Sequence, residues 1–392
     1  MFTCLRAYTR EKVFLMSRIL VVSPPELGHL LPVLPVAQRL REHGHEVVFL
    51  STAETRWLLE RYHFSTELWI EPAETTCCRT FSPPSHIPAG ASFWYDFTRR
   101  SRSTKLDAIQ KRLEAVAIRC CSEHFVMDSL FALHYGIDCS VHPFFGRVTL
   151  LGTSLARWND FPTSIPAPLL YLCPDEFEVP SYVLKHPRVR YCEPSISQPY
   201  DATEDSAFQP ATQRPLVLIA CGTQASLQRS FMDRLQAISD VAHIYSDIDF
   251  VVGVSDLHKE ALETTNQALP TNVVLQTRIP QSKLLKHALA FITHGGLSSM
   301  KEAILAGVPM IVTPEVFDQP FNAMRAVYHD LAPAIFPDEM NGTALEKALG
   351  GILNRSSLAG QVGRFQSIFA RADAQPQAAQ FIEDQICSKH FI

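Results

Sequence analysis

The chain has 392 residues, 46% of them hydrophobic and 19% charged, which is the composition of a folded globular protein and excludes a disordered or fibrous one. Its 35 lysines and arginines against 40 aspartates and glutamates leave a net charge of −5, so the basic stripe of a nucleic-acid binder is not expected. No apolar run approaches the roughly 18 residues that span a bilayer, since HLLPVLPVA and ALAFIT are short and soon interrupted.

Length alone predicts about two to three domains. The ten cysteines are scattered, two pairs are adjacent (Cys77-Cys78 and Cys120-Cys121), and no CxxC or Cys–His spacing suits zinc. A chain this long needs no disulfide framework, so reduced thiols in a cytosolic protein are expected. The opening MFTCLRAYTREKVFL lacks the apolar core and cleavage site of a secretion signal. Met16-Ser17-Arg18, directly ahead of a strand, reads as an alternative start, and residues 1–15 are set aside from the fold.

From Arg18, RILVVS reads as a strand, followed by PPELGH and a helix in LLPVLPVAQRLREHG. Val33, Leu34, Ala37 and Leu40 lie there at helical spacing, with the prolines expected in the first turn and Gly44 as a left-handed cap. HEVVFLST is the next strand, closing a βαβ opening. RTFSPPSHIPAGASFWYDF and the stretch from Ala156 to Pro174 are proline-rich and read as loops over a pocket. QPYDATEDSAFQPATQRP reads as a linker, dividing the chain near residue 205.

The same grammar resumes at Pro215: strand PLVLIA, turn CGTQAS, a helix from about Leu227, then strands DFVVGVS and NVVLQTRIP. A short helix SKLLKHA, strand LAFIT, loop HGGLSS, helix MKEAILAG, strand VPMIVTP and helix FNAMRAVYH follow. Strands alternating with helices predict parallel sheets covered on both faces. The tail from Phe365 reads as two short helices broken near Pro376, the last running back onto the first domain.

The densest chemistry lies in THGGLSSMKEAILAGVPMIVTPEVFDQPFNAM, residues 293–324. His294-Gly295-Gly296 permits a tight turn, and Leu297, Ser298 and Ser299 open a helix whose free N–H groups attract an anion. His294 and Ser299 can add side-chain donors, with Ser298 balanced between phosphate contact and helix cap. Glu302, one turn on, is placed to accept from a ribose, and Asp318-Gln319 suit sugar hydroxyls. Phosphate, ribose and hexose acceptors in sequence suggest a nucleotide sugar.

This segment resembles the donor-binding signature of the UDP-glycosyltransferases, H-x-G-x-x-S-x-x-E-x-x-x-x-G-V-P-x-x-x-x-P-x-x-x-D-Q-x-x-N, matched from His294 to Asn322. Arg278, Ile279 and Gln281 of RIPQ look like the family's base-binding turn, although Arg278 stands where an aromatic residue often stacks on the base. Gly222 and Thr223 of CGT look like its glycine turn facing the diphosphate. LGHLLPVLPVAQRLREHGHEVVFLST resembles the family's opening, and LLYLCPDEFEVP and RYCEPSI resemble bacterial members near macrolide and carotenoid glucosyltransferases. The resemblance covers essentially residues 17–385.

It implies the α/β GT-B fold: two facing Rossmann-like domains with parallel sheets and an interdomain cleft. Residues 17–205, joined by a helix at about 375–392, would bind the acceptor, and residues 206–374 the donor. It also implies inverting hexosyl transfer, of glucose most simply, with no metal and no further cofactor; no DxD-like motif is placed to contradict this. By the same resemblance His29, after Gly28, is the catalytic base, and Asp128 in FVMDSLF orients it. Independently, His29 lies just past a strand's carboxyl end, where α/β sheets place ligand crevices, and its imidazole has a suitable basicity. Phe93, Trp94, Phe97 and His142 are candidates for an acceptor pocket, alongside ordinary packing roles.

GTSLA at 152–156 lacks a nucleophile-elbow pattern, and neither GxGxxG nor a Walker A loop occurs. The expectation is therefore a cytosolic enzyme that glycosylates a polyphenol, terpenoid or polyketide from a UDP-sugar, with no nucleic-acid or integral-membrane partner. UDP against dTDP, the hexose, the acceptor and the oligomeric state stay open. Rival readings are an epimerase of the same fold, disfavoured by Asp318-Gln319 and Gly28-His29, and a non-catalytic nucleotide-sugar-binding partner, disfavoured by His29 and Asp128. A membrane-surface enzyme would need a basic amphipathic helix that is not seen.

Overall fold

A computed structural model describes residues 16–24, 27–68, 113, 115–116, 118–122, 124–128, 148–152, 167–196, 214–222, 231–255, 262, 268–277, 279–316, 318–354 and 356–388. The proposed linker near residue 205 and residues 1–15 lie outside them.

The first sheet holds seven parallel strands: β1 Arg18–Val22, β2 Glu46–Ser51, β3 Ser65–Leu68, β4 His124–Asp128, β5 Val148–Gly152, β6 Leu169–Tyr171 and β7 Val189–Tyr191, in the order β3-β2-β1-β4-β5-β6-β7. The second holds five: β8 Leu216–Ala220, β9 Asp249–Gly253, β10 Val273–Gln276, β11 Ala288–Thr293 and β12 Met310–Val312, in the order β10-β9-β8-β11-β12. Central strands such as β8 and β4 are buried along their whole length. β8, Leu216–Ala220, reads as an unbroken apolar run because helices cover both faces of a parallel sheet. In each sheet the strand order reverses beside the first strand, between β1 and β4 and between β8 and β11. These reversals are the switch points where open α/β sheets hold ligands.

Helix α1 spans Leu27–Glu42, and α2 follows at Ala53–Arg61. The prolines of α1 are not in its first turn as the sequence suggested. The helix starts at Leu27, so Pro32 and Pro35 are interior. Their missing N–H groups leave the carbonyls of Gly28 and Leu31 without the usual i+4 donor. Packing compensates, because Leu30, Val33, Leu34, Val36, Ala37 and Leu40 are all buried.

In the second half α3 spans Phe231–Ile244, α4 Gln281–Leu285, α5 Leu297–Ala306 and α6 Gln319–Tyr328. Helix α7, Gly342–Asn354, was not anticipated. Neither was the 19-residue length of α8, Ser356–Ala374, which precedes α9 at Ala378–Ser388. Helix α9 packs on α1: Ala378, Ala379, Ile382 and Ile386 join the core that covers β1 and β2. Glu193 accepts from the Gln377 and Ala378 N–H groups at the start of α9 and pairs with Arg39 at 3.0 Å. Glu383 bonds His43 and buried His45 at 2.7 and 3.2 Å. The described helices include none long and apolar enough to cross a membrane.

Candidate active site

His29 occupies the first turn of α1, just beyond β1, and Asp128 ends β4, the strand beside β1. The first switch point therefore brings together two residues 99 positions apart, with His29 Nδ1 3.4 Å from Asp128 Oδ2. Asp128 is buried, while a quarter of the His29 side chain is exposed. A carboxylate beside Nδ1 favours the tautomer with the proton on Nδ1, which leaves Nε2 as the basic nitrogen. Gly28 is exposed, and among the described residues a Cβ built there meets nothing within 4 Å outside its own helix and chain neighbours.

The second switch point gathers the predicted diphosphate turn. Gly222 follows β8 and His294 follows β11. Gly222 has φ +78 and a Cβ there would lie 2.5 Å from His294 Nε2; Gly296 likewise leaves room for the same ring. Gly295, at φ +85, takes the left-handed turn into α5. Leu297 is buried, Ser298 and Ser299 are partly exposed, and among the described residues no side chain caps α5 at Gly296. The terminal N–H groups of that helix therefore have no side-chain cap competing for them, as an anion site requires.

His294 is partly buried, and desolvation holds its pKa down to about 4. Its Nδ1 lies 3.3 Å from the Ala220 carbonyl, a bond that requires the proton on Nδ1. In the neutral ring Nε2 is then an acceptor, and it can donate to a phosphate only after gaining a proton. Binding of a nucleoside-diphosphate sugar is accordingly expected to take up a proton and to strengthen as pH falls, by at most about tenfold per pH unit for one proton. Calorimetry with UDP-glucose in buffers of different ionisation enthalpy reads this directly. His294→Gln should remove the uptake.

Gln281, at the start of α4, joins two other predicted residues: its Nε2 donates to Ser299 Oγ at 3.3 Å and Glu302 Oε2 at 3.0 Å. Burial holds the Glu302 carboxyl above the usual range, and the Gln281 bond and Lys301 charge oppose that shift. The Ile279 side chain packs over Gly253, so its side chain serves the core. Gln319 is buried and its Oε1 accepts from the Glu315 and Val316 N–H groups; what it can still offer a sugar is its amide N–H. Asp318 stands at the N-cap position of α6 without a side-chain capping bond, and its Oδ2 accepts from Asn322 Nδ2. Thr223, Arg278, Phe93, Trp94, Phe97 and His142 lie outside the described residues.

The sequence profile of the family described as UDP-glucoronosyl and UDP-glucosyl transferase matches residues 258–379, which contain the whole His294–Asn322 motif. An NDP-glycosyltransferase of Bacillus subtilis, YjiC, is 22% identical over 93% of this chain and 96% of its own. The chain thus resembles the UDP-glycosyltransferase family, most clearly over residues 258–379. Its fold is GT-B, and it is a glycosyltransferase. The oleandomycin glycosyltransferase of Streptomyces antibioticus is 25% identical over 48% of this chain and 43% of its own. Among solved structures, the spinosyn rhamnosyltransferase SpnG complexed with thymidine diphosphate superposes with TM-score 0.71 at 17% identity, covering 93% of this chain and 98% of that one.

Sequence reasoning missed three buried cations of this glycosyltransferase. Arg234 on α3 donates to the Thr313 carbonyl at 3.2 Å and lies 3.7 Å from Glu315. Lys301, adjacent to Glu302 on α5, donates to the Leu172 and Pro194 carbonyls of the first half, and burial pulls its ammonium down to about 8. Arg325, on the same face of α6 as the motif's Asn322, pairs with Glu178. For Lys301 and Arg325 only their setting on motif helices hinted at these roles, and Arg234 on α3 carried no such signal. Among the described residues no group of three or more His, Cys, Asp or Glu is arranged to hold a metal ion.

Proposed function

We propose that this glycosyltransferase moves a hexose, glucose in the simplest case, from a UDP-sugar to a hydroxyl of an apolar small molecule such as a polyphenol, terpenoid or polyketide. The observation that carries this reading is the His29–Asp128 pair at the first switch point, combined with an uncapped helix terminus beside His294 at the second. His29 Nε2 takes the proton of the acceptor hydroxyl, whose oxygen attacks the anomeric carbon as the bond to the diphosphate breaks, inverting the configuration. Asp128 compensates the imidazolium charge. The departing UDP is stabilised by the α5 N–H groups and by protonated His294, so the reading calls for no metal. The N-terminal half, residues 17–205 with the helix at about 375–392, then holds the acceptor, and residues 206–374 hold the donor.

Small-molecule acceptors are supported by the relatives, which include a calicheamicin glycosyltransferase structure and SpnG with its spinosyn aglycone. Thymidine diphosphate bound to SpnG makes a dTDP-sugar the second reading. The cytosol is the compartment that goes with this reading. The test is incubation of the EDTA-treated protein with UDP-glucose or dTDP-glucose and a panel of phenols and alcohols, read by mass. A hexose-sized gain from the UDP donor supports the reading, a gain from the dTDP donor alone moves it to the second, and free sugar or epimer without product overturns it.

A further inference from the structure

The two halves meet through a hydrogen-bonded chain that ends at a motif carboxylate. Glu178 follows a short 3-10 turn, Asp175–Phe177, between β6 and β7. It is 5% exposed, and its two oxygens accept from Arg325 Nε at 2.8 Å and Nη2 at 2.7 Å. This is the planar two-point pairing that fixes a guanidinium in orientation as well as position. Arg325 Nη1 donates to Asn322 Oδ1 at 3.2 Å. The Asn322 amide is thereby oriented, and its Nδ2 donates to Asp318 Oδ2 at 3.0 Å and to the Gly295 carbonyl at 2.9 Å. Arg325 and Asn322 are 1% and 0% exposed, so neither can reach a ligand. The Glu178 end is itself clamped: His329 Nε2 donates to its carbonyl, and Phe177 stacks on the His329 ring.

We propose that Glu178 is a positioning residue for sugar recognition, holding the Asp318 carboxylate through Arg325 and Asn322 so that the first half of the chain sets the hexose selectivity of the second. This rests on the reading of Asp318 as a hexose contact. A plain strut between halves would need only the Glu178–Arg325 pair. The added link through a buried, singly oriented amide to a motif carboxylate is what transmits geometry. Displacement of a recognising group by even an ångström costs far more than the contact's own strength suggests.

The experiment is calorimetric titration with UDP, UDP-glucose and UDP-galactose, which needs no acceptor. Glu178→Gln is expected to leave UDP affinity within about twofold while the UDP-glucose to UDP-galactose affinity ratio moves toward unity on the order of tenfold, the scale seen when a supporting partner of a binding group is removed. Glu178→Gln with Arg325→Met, which replaces the buried ion pair by neutral groups and so guards against misfolding, should show the same loss. Adding Asp318→Asn to either should change the ratio no further, as expected for residues acting in one network. An unchanged ratio in Glu178→Gln, or equal losses for UDP and both sugars, makes Glu178 a structural strut and overturns the proposal. An Asp318→Asn protein whose ratio equals the parent's instead overturns the hexose reading of Asp318, and the relay with it.

Discussion

Replacing His29 by alanine is expected to lower kcat for glycosyl transfer by about 10²- to 10⁴-fold, the usual contribution of a positioned general base. UDP-sugar affinity should stay within about twofold, because the lost group acts on the acceptor. His29 sits at the sheet's switch point, and its Nδ1 faces Asp128, so Asp128→Asn should lower kcat too, by disturbing the tautomer and its charge balance. The pH profile separates the two roles: the acidic limb marks protonation of the base, so Asp128→Asn should move that limb to lower pH, whereas a bystander histidine would leave it unmoved. Steady-state kinetics with UDP-glucose and a phenolic acceptor supply both readouts. Retained turnover in His29→Ala would remove this residue as the base.

Glu302→Ala is expected to weaken UDP and UDP-sugar binding together, by about 10- to 100-fold. Hydrogen bonds to an ionised group contribute roughly 1.5–3 kcal/mol, and 1.4 kcal/mol is tenfold in affinity. The carboxylate is held by Gln281, which also holds Ser299, so the ribose and phosphate ends of the proposed donor site share one brace. Gln281→Ala should therefore show part of the same loss. Because UDP carries the ribose without the hexose, equal losses for UDP and UDP-glucose are the signature. An unchanged UDP affinity would show that the ribose lies elsewhere.

The donor motif was legible in the sequence because its parts are local. A strand, a glycine turn and a helix terminus lie within residues 288–306, and turn chemistry at Gly295 and helical spacing from Leu297 do not depend on distant contacts. The parallel sheets were legible for the same reason, since strands buried on both faces announce themselves as apolar runs. Helix α7 was not, because Gly350-Gly351 reads as a turn. It forms since Leu345, Leu349 and Ile352 share one buried face, and tertiary packing overrides the glycine penalty. The interior prolines of α1 were misplaced because the start of that helix is set by its docking onto the sheet, which brings His29 into the first turn.

The connections between the halves were the least legible. Glu178 and Arg325 are 147 positions apart, and Lys301 reaches carbonyls 129 and 107 positions away. A charged side chain in isolation reads as a solvated surface, and nothing in local pattern distinguishes one that is buried and paired. The His29–Asp128 pair spans 99 positions and was anticipated only because the family resemblance supplied the partner. The aromatic stretch containing Phe93, Trp94 and Phe97 offers neither period nor motif.

The central claim is that the region around His294, Ser299 and Glu302 binds a uridine diphosphate sugar without a metal. Calorimetric titration of the EDTA-treated protein with UDP, dTDP and UDP-glucose tests it most directly. One site per chain is expected for UDP and UDP-glucose, with UDP preferred over dTDP and the affinity lowered about 10- to 100-fold in Glu302→Ala. No binding of any of the three, or binding that appears only when a divalent cation is restored, would contradict it.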